Sequence, residues 1–132
     1  MALLHFEFVS PEAVVFSGDV DQVDLPGSEG DLGILPGHAP LVTTLRPGIV
    51  TIIREGAREP VVVIGGFAEV GPGGLTVLAD RAVAWADFDL HSLASDIRNA
   101  EEDVADCKDQ AERDKLTRHL DQLRALQSVL TQ

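Results

Sequence analysis

The sequence predicts an α+β protein: an N-terminal ten-stranded antiparallel β-sandwich over residues 1–86, followed by a C-terminal antiparallel two-helix hairpin over residues 87–132. Three observations carry this. From Leu3 to about Trp85, short apolar runs rich in Val, Ile and Thr are cut by Gly or Pro about every eight to twelve residues, an antiparallel β pattern. Residues 87–132 contain no Gly and no Pro, and apolar spacing there lengthens from two to three or four. Residues 26–48, PGSEGDLGILPGHAPLVTTLRPG, hold five of the twelve glycines and four of the seven prolines around a single His38.

Strands are expected near 4–9, 13–16, 20–25, 31–35, 41–46, 48–54, 60–65, 67–70, 74–79 and 82–85, with turns at Gly56, at Gly65-Gly66 and at Gly71-Pro72-Gly73-Gly74. In Leu4-His5-Phe6-Glu7-Phe8 the alternation puts Leu4, Phe6 and Phe8 on one face. Ten short strands without an intervening helix suggest two packed sheets. Within 26–48, Gly supplies unusual backbone angles and Pro fixes φ, so Pro26-Gly27, Pro36-Gly37 and Pro47-Gly48 set where the chain reverses. The segment is a preshaped series of turns, which serves as a packing corner or as a contact surface.

Beyond Asp87 the stripe Leu90, Leu93, Ile97, Ala100, Val104, Cys107 predicts a first helix, with Asp87 or Asp89 as its N-cap. Leu116, Leu120, Leu123, Leu126 and Leu130 predict a second. Asp109-Gln110-Ala111-Glu112 fits a capping box and marks the break between them. A hairpin is the simplest arrangement; one unbroken helix of about 60 Å is the alternative, at about 1.5 Å per residue.

The net charge of −12, from 10 basic and 22 acidic residues, argues against nucleic acid and against adsorption to anionic lipid. Residues 87–112 carry nine acids against two bases, whereas residues 113–132 reverse sign, with Arg113, Lys115, Arg118 and Arg124 against Asp114 and Asp121. Opposite charges suit two helices lying side by side; the basic stripe is also a candidate ligand for an acidic partner. The longest apolar stretch, residues 60–68, is too short to span a bilayer, and the N-terminus MALLHFEF has no basic region of a signal peptide, so the chain is expected to be soluble and unexported. The single Cys107 allows no internal disulfide, which fits a reducing compartment.

Catalytic and ligand motifs are not found. Gly27-Ser28-Glu29-Gly30-Asp31-Leu32-Gly33 lacks the spacing and the Lys of phosphate-binding loops, and Pro-Gly-Ser-Glu-Gly is not a nucleophile elbow. His5, His38, His91 and His119 are scattered, with no pair at metal-binding spacing. Acid pairs such as Glu29 with Asp31 and Glu101 with Glu102 read as solvated surface rather than an acid/base dyad. His38 either only braces the turn between Pro36 and Pro40 or also meets a partner. No cofactor or metal is expected, and the chain reads as a binding or regulatory part of something larger.

The run GSEGDLGILPGHAPLVTTLRPG, followed by Gly65-Gly66-Phe67-Ala68-Glu69-Val70 and Leu75-Thr76-Val77-Leu78-Ala79-Asp80, resembles the epsilon subunit of the rotary ATP synthase. Order and length also fit that family, from a turn at Phe16-Ser17-Gly18 to the terminal helices; the mitochondrial delta subunit shares the pattern. The resemblance implies a noncatalytic central-stalk subunit whose sandwich binds the gamma subunit along one side and meets the polar loops of the membrane c-ring at its base. By motif position that base includes Ser28, Glu29, Asp31 and His38. It also implies a hairpin that extends along gamma to restrain ATP hydrolysis at the alpha and beta subunits, with Arg113, Lys115, Arg118 and Arg124 as the cations. Some members bind ATP through an aliphatic residue, Asp, two others, Arg and Ala. Here Phe88-Asp89-Leu90-His91-Ser92-Leu93 keeps Asp89 but not Arg or Ala, so the phosphate-neutralising cation is missing. The location implied is peripheral, on the cytoplasmic side of a bacterial plasma membrane, with membrane contact only through the complex. Rival readings are a free-standing adaptor whose hairpin recruits a partner helix, and a small enzyme whose site forms only in an oligomer.

Overall fold

The computed structural model describes residues 2–131. It divides into two compact units, Met1–Asp87 and Phe88–Gln132. The first holds ten strands: β1 Leu4–Val9, β2 Val14–Val20, β3 Gln22–Gly27, β4 Gly30–Ile34, β5 Leu41–Thr44, β6 Gly48–Arg54, β7 Ala57–Val63, β8 Gly66–Gly71, β9 Gly74–Ala79 and β10 Ala82–Ala84. They form two five-stranded sheets, ordered β2-β1-β9-β8-β5 and β10-β7-β6-β3-β4. A short 3-10 turn, Trp85–Asp87, ends the unit.

Inward-facing side chains of both sheets make one core, including Phe6, Phe8, Val20, Val23, Leu25, Ile34, Val50, Ile52, Val63, Leu75 and Val77. The alternation expected for β1 is realised, with Leu4, Phe6 and Phe8 buried. The ring of Phe6 lies 5.7 Å from those of both Phe8 and Phe16, within the range of favourable aromatic pairing. Arg54, at the end of β6, sits 5.1 Å from the Phe16 centroid and caps that cluster with a cation.

All ladders are antiparallel except one: β1 runs parallel to β9, with Phe6 beside Leu75 and Val9 beside Leu78. Only strands joined by tight turns are forced to be antiparallel, and β1 and β9 are separated by most of the unit.

Several boundaries shift. The turn expected at Phe16-Ser17-Gly18 does not form, because β2 continues through it and sets Gly18 opposite Phe6. Gly18 takes φ 154°, a setting that side chains rarely allow, so its glycine serves a twisted strand rather than a reversal. The chain instead reverses at Asp21, whose carboxylate accepts the Glu55 N–H at 2.8 Å. Strand β7 begins before Pro60, the residue expected to open it. Proline is tolerated there because β10 pairs only with Val61, Val62 and Val63, leaving no strand beside Pro60 on that side. Strand β5 ends at Thr44, after which the chain crosses toward the second sheet.

Registers place the connections at two ends. Turns at 10–13, 28–29, 45–47, 64–65 and 80–81 gather at one; the reversal at Asp21, the loop 35–40 and the turns at 55–56 and 72–73 gather at the other. At the first end backbone bonds carry the β5–β8 and β8–β9 ladders of the first sheet past the ends of their strands. Leu45 N–H donates to Gly66 O at 2.9 Å, and Asp80 N–H to Gly65 O at 3.1 Å. Gly66 is required here, since a Cβ would run into the backbone of Leu78 and Ala79.

The second unit is a hairpin of α1 Leu90–Asp106 and α2 Gln110–Leu130, packed on each other. Asp89 caps α1, its carboxylate accepting from His91 N–H at 2.9 Å. Asp109 caps α2 through Ala111 N–H at 3.3 Å, so the expected break holds and the unbroken helix does not form. Leu93, Ile97 and Ala100 on α1 and Leu120, Leu123 and Leu126 on α2 are buried, the middles of the two expected stripes.

Candidate functional site

The Gly/Pro-rich segment builds most of one end of the sandwich. Strands β3 and β4 pair through Gly27 and Gly30, which leaves Ser28 and Glu29 as a two-residue turn. Ser28 N–H donates to Thr44 O at 2.9 Å, and Gly27 bridges Leu45, so the turn of the second sheet is bonded to the edge strand of the first. Between them lies a groove of about 530 Å³ lined by Ser28 to Leu32 and by Leu41 to Thr44. Two apolar side chains that β-strand alternation turns outward, Val42 and Phe67, are exposed on the adjoining sheet face.

Arg46 braces this end. Its backbone N–H donates to Pro26 O at 2.8 Å, its Nε donates to Gly27 O at 2.6 Å, and its Nη2 pairs with Asp31 Oδ1. Motif matching passed over Arg46, yet it is the only Lys or Arg in residues 26–48, and that isolation among turn residues is the signal that could have found it.

The structure brings Ser28, Glu29 and Asp31 together but not His38. Strand β4 carries the chain from Gly30 to Ile34, the whole length of the sheet edge, before the loop that holds His38. His38 therefore lies at the opposite end from Ser28 and Glu29. There its N–H donates to Leu35 O at 3.1 Å and its Nδ1 lies 2.7 Å from Ala39 O, so the ring braces its own turn. A single surface holding all four expected residues is corrected to a three-residue end plus a separate histidine loop.

On the hairpin, two of the four expected cations are engaged within the unit. Arg113 Nη2 donates to Cys107 O at 2.6 Å across the interhelical turn, and Arg124 pairs with Glu101 of α1 at 3.2 Å. Lys115 and Arg118 stand exposed, without an ion pair among the described residues. Asp89, the retained letter of the ATP motif, is committed to capping α1. Among the described residues there is no group of three or more His, Cys, Asp or Glu side chains that could hold a metal ion, and no helix is long and apolar enough to cross a membrane.

A two-sheet sandwich with one end of bonded, preshaped turns, joined to a two-helix arm, is the architecture of a protein-binding subunit. Residues 3–85 match the family model described as the ATP synthase delta/epsilon chain β-sandwich domain. The chain is 50% identical to the ATP synthase epsilon chain of Rhodopseudomonas palustris, over 99% of this chain and 96% of that one. It is 52% identical to that of Parvibaculum lavamentivorans, over 96% and 97%, and 48% identical to that of Maricaulis maris, over 96% and 95%. A chain in the OSCP/F1/c-ring structure of the Euglena gracilis mitochondrial ATP synthase superposes with a TM-score of 0.77 at 26% identity, covering 98% of this chain and 82% of that one. A chain in the central stalk/c-ring structure of the Tetrahymena thermophila enzyme shares the fold, with a TM-score of 0.65 at 14% identity over 94% of this chain and 93% of that one. The chain belongs to the ATP synthase epsilon-chain family.

Proposed function

We propose that the chain works as the noncatalytic epsilon subunit in the central stalk of a rotary ATP synthase, bound to the gamma subunit and the c-ring and coupling ring rotation to the catalytic head. The observation that carries this is agreement with epsilon chains along nearly the whole length, hairpin included. Within that role, the end built from Ser28, Glu29 and Asp31 meets the polar loops of the ring. Its bonded turns suit the task, because a part that transmits torque must resist deformation, and Gly/Pro turns locked by cross-sheet bonds leave few alternative conformations. The subunit belongs to the complex; the finer reading is a peripheral position on the cytoplasmic side of a bacterial plasma membrane, reached only through the other subunits.

The arm is read as a weak regulator. With Arg113 and Arg124 engaged in the hairpin, Lys115 and Arg118 are the two of the four expected cations left for an acidic surface of the catalytic beta subunit. ATP binding at Asp89 is not part of the proposal, because no Arg follows at the required place and the carboxylate is occupied.

The test is disulfide crosslinking in the assembled enzyme. Glu29→Cys should crosslink to a cysteine placed in the c-ring loop, whereas His38→Cys should not. Crosslinking through His38→Cys alone would reverse the assignment of the two ends.

A further inference from the structure

The outer face of the first sheet carries a polar ladder away from the end built by Ser28, Glu29 and Asp31. His5 faces Asp19 across β1 and β2, and Glu7 faces Ser17. His5 Nδ1 lies 3.2 Å from Asp19 Oδ1, and His5 Nε2 lies 2.8 Å from Glu7 Oε1. Ser17 Oγ donates to the same Glu7 oxygen at 2.8 Å. Ionised carboxylates only accept, and a neutral imidazole has a single N–H to give. Both histidine contacts are hydrogen bonds at once only when the ring carries two protons. In the neutral ring, one nitrogen lone pair faces a carboxylate.

We propose that His5 is a proton-controlled clamp that holds the edge strand β2 to β1, closed while the ring is imidazolium and loosened when it is neutral. Strand β2 has a sheet neighbour on one side only, so this ladder is its whole hydrogen-bonded pairing with the sheet. The groups around the ring are few. Glu7 lies on its own strand, Asp19 and Ser17 on β2, and the neighbouring outward positions of β9 are Gly74 and Thr76. The next charge along that row is Glu69 on β8, beyond Thr76.

Electrostatics supports this geometry. The hydrogen bond that His5 gives to Asp19 first, and that to Glu7 second, hold His5 above its ordinary value of 6.5. Ser17 first, and His5 second, hold Glu7 below its ordinary 4.5. A raised histidine contributes fully below about pH 6.5 and loses its contribution as pH climbs through the raised value. The lowered Glu7 contributes above about pH 4.5 and loses its contribution as pH falls through the lowered value. The clamp is therefore tightest between those limits and opens on the alkaline side.

The test uses NMR on the full chain. The His5 ring should titrate with a midpoint above 6.5. Amide protection of β2, taken as a ratio to β6 in the same sample, should fall roughly two- to threefold through that midpoint, the scale of an exposed ion pair. His5→Gln should abolish the step, and Asp19→Asn should lower the midpoint of His5. A midpoint at or below 6.5, a flat ratio, a step that survives in His5→Gln, or a midpoint unmoved by Asp19→Asn would each overturn the clamp. None of these readouts depends on the stalk assignment.

Discussion

Arg46 joins three segments that the chain visits at different times: the end of β3, the start of β4 and the crossing that follows β5. Its planar fork lets Nε reach a backbone carbonyl while Nη2 reaches a carboxylate, a division that a lysine ammonium on a flexible stem does not reproduce. Arg46→Lys should therefore cost about 1 kcal/mol in urea unfolding, the net value of a typical hydrogen bond, despite keeping the charge. Asp31→Asn should cost less, at most about 0.5 kcal/mol, because that carboxylate is 88% exposed and its ion pair is screened by water. Equal losses would assign the bracing to the ion pair instead of the backbone contact. At the same scale, His38 shows how neighbouring letters mislead. It stands ten positions from Ser28, but a strand running the length of the sheet edge separates them, and only the pairing of β3 with β4 reveals it.

Among the elements, what could be read depended on whether the cause was local. Apolar alternation in β1, the Asp89 and Asp109 caps and the apolar stripes of α1 and α2 follow from neighbouring residues, and they were legible. The extension of β2 through Ser17-Gly18 was not, because those letters suit a turn equally well and the decision came from Phe6 on the facing strand. The parallel β1–β9 ladder left no mark in the sequence at all, since nothing in either strand encodes the direction of a partner so far along the chain. In the hairpin, packing should outweigh charge. Leu123 is 1% exposed, and Leu123→Ala should cost about 2–5 kcal/mol in thermal or urea unfolding, whereas Arg124→Ala, which breaks the half-exposed pair with Glu101, should cost less than about 1 kcal/mol. The reverse ranking would mean that opposite charge, rather than the buried seam, holds the helices together.

For the whole molecule, the division at Asp87 separates the two tasks proposed above. The sandwich has its own continuous core, so a chain ended after Asp87 should still fold and still copurify with gamma. Assembled into the enzyme, it should leave the rate of ATP hydrolysis within about twofold of the intact complex, because two of the four candidate inhibitory cations, Arg113 and Arg124, serve the hairpin itself. A tenfold rise on truncation would show a strong inhibitory arm and would require Arg113 and Arg124 to leave their present partners.

The parallel ladder between β1 and β9 also dictates an order of events during synthesis. Until β9 emerges, the first sheet exists only as two fragments, the β1–β2 hairpin and the strands β5 and β8, with no hydrogen bonds between them. Insertion of β9 as the middle strand joins the two fragments in one step. Because that closure joins the two ends of the domain, it is a high-contact-order event, and the sandwich becomes stable only after nearly all of its residues have left the ribosome.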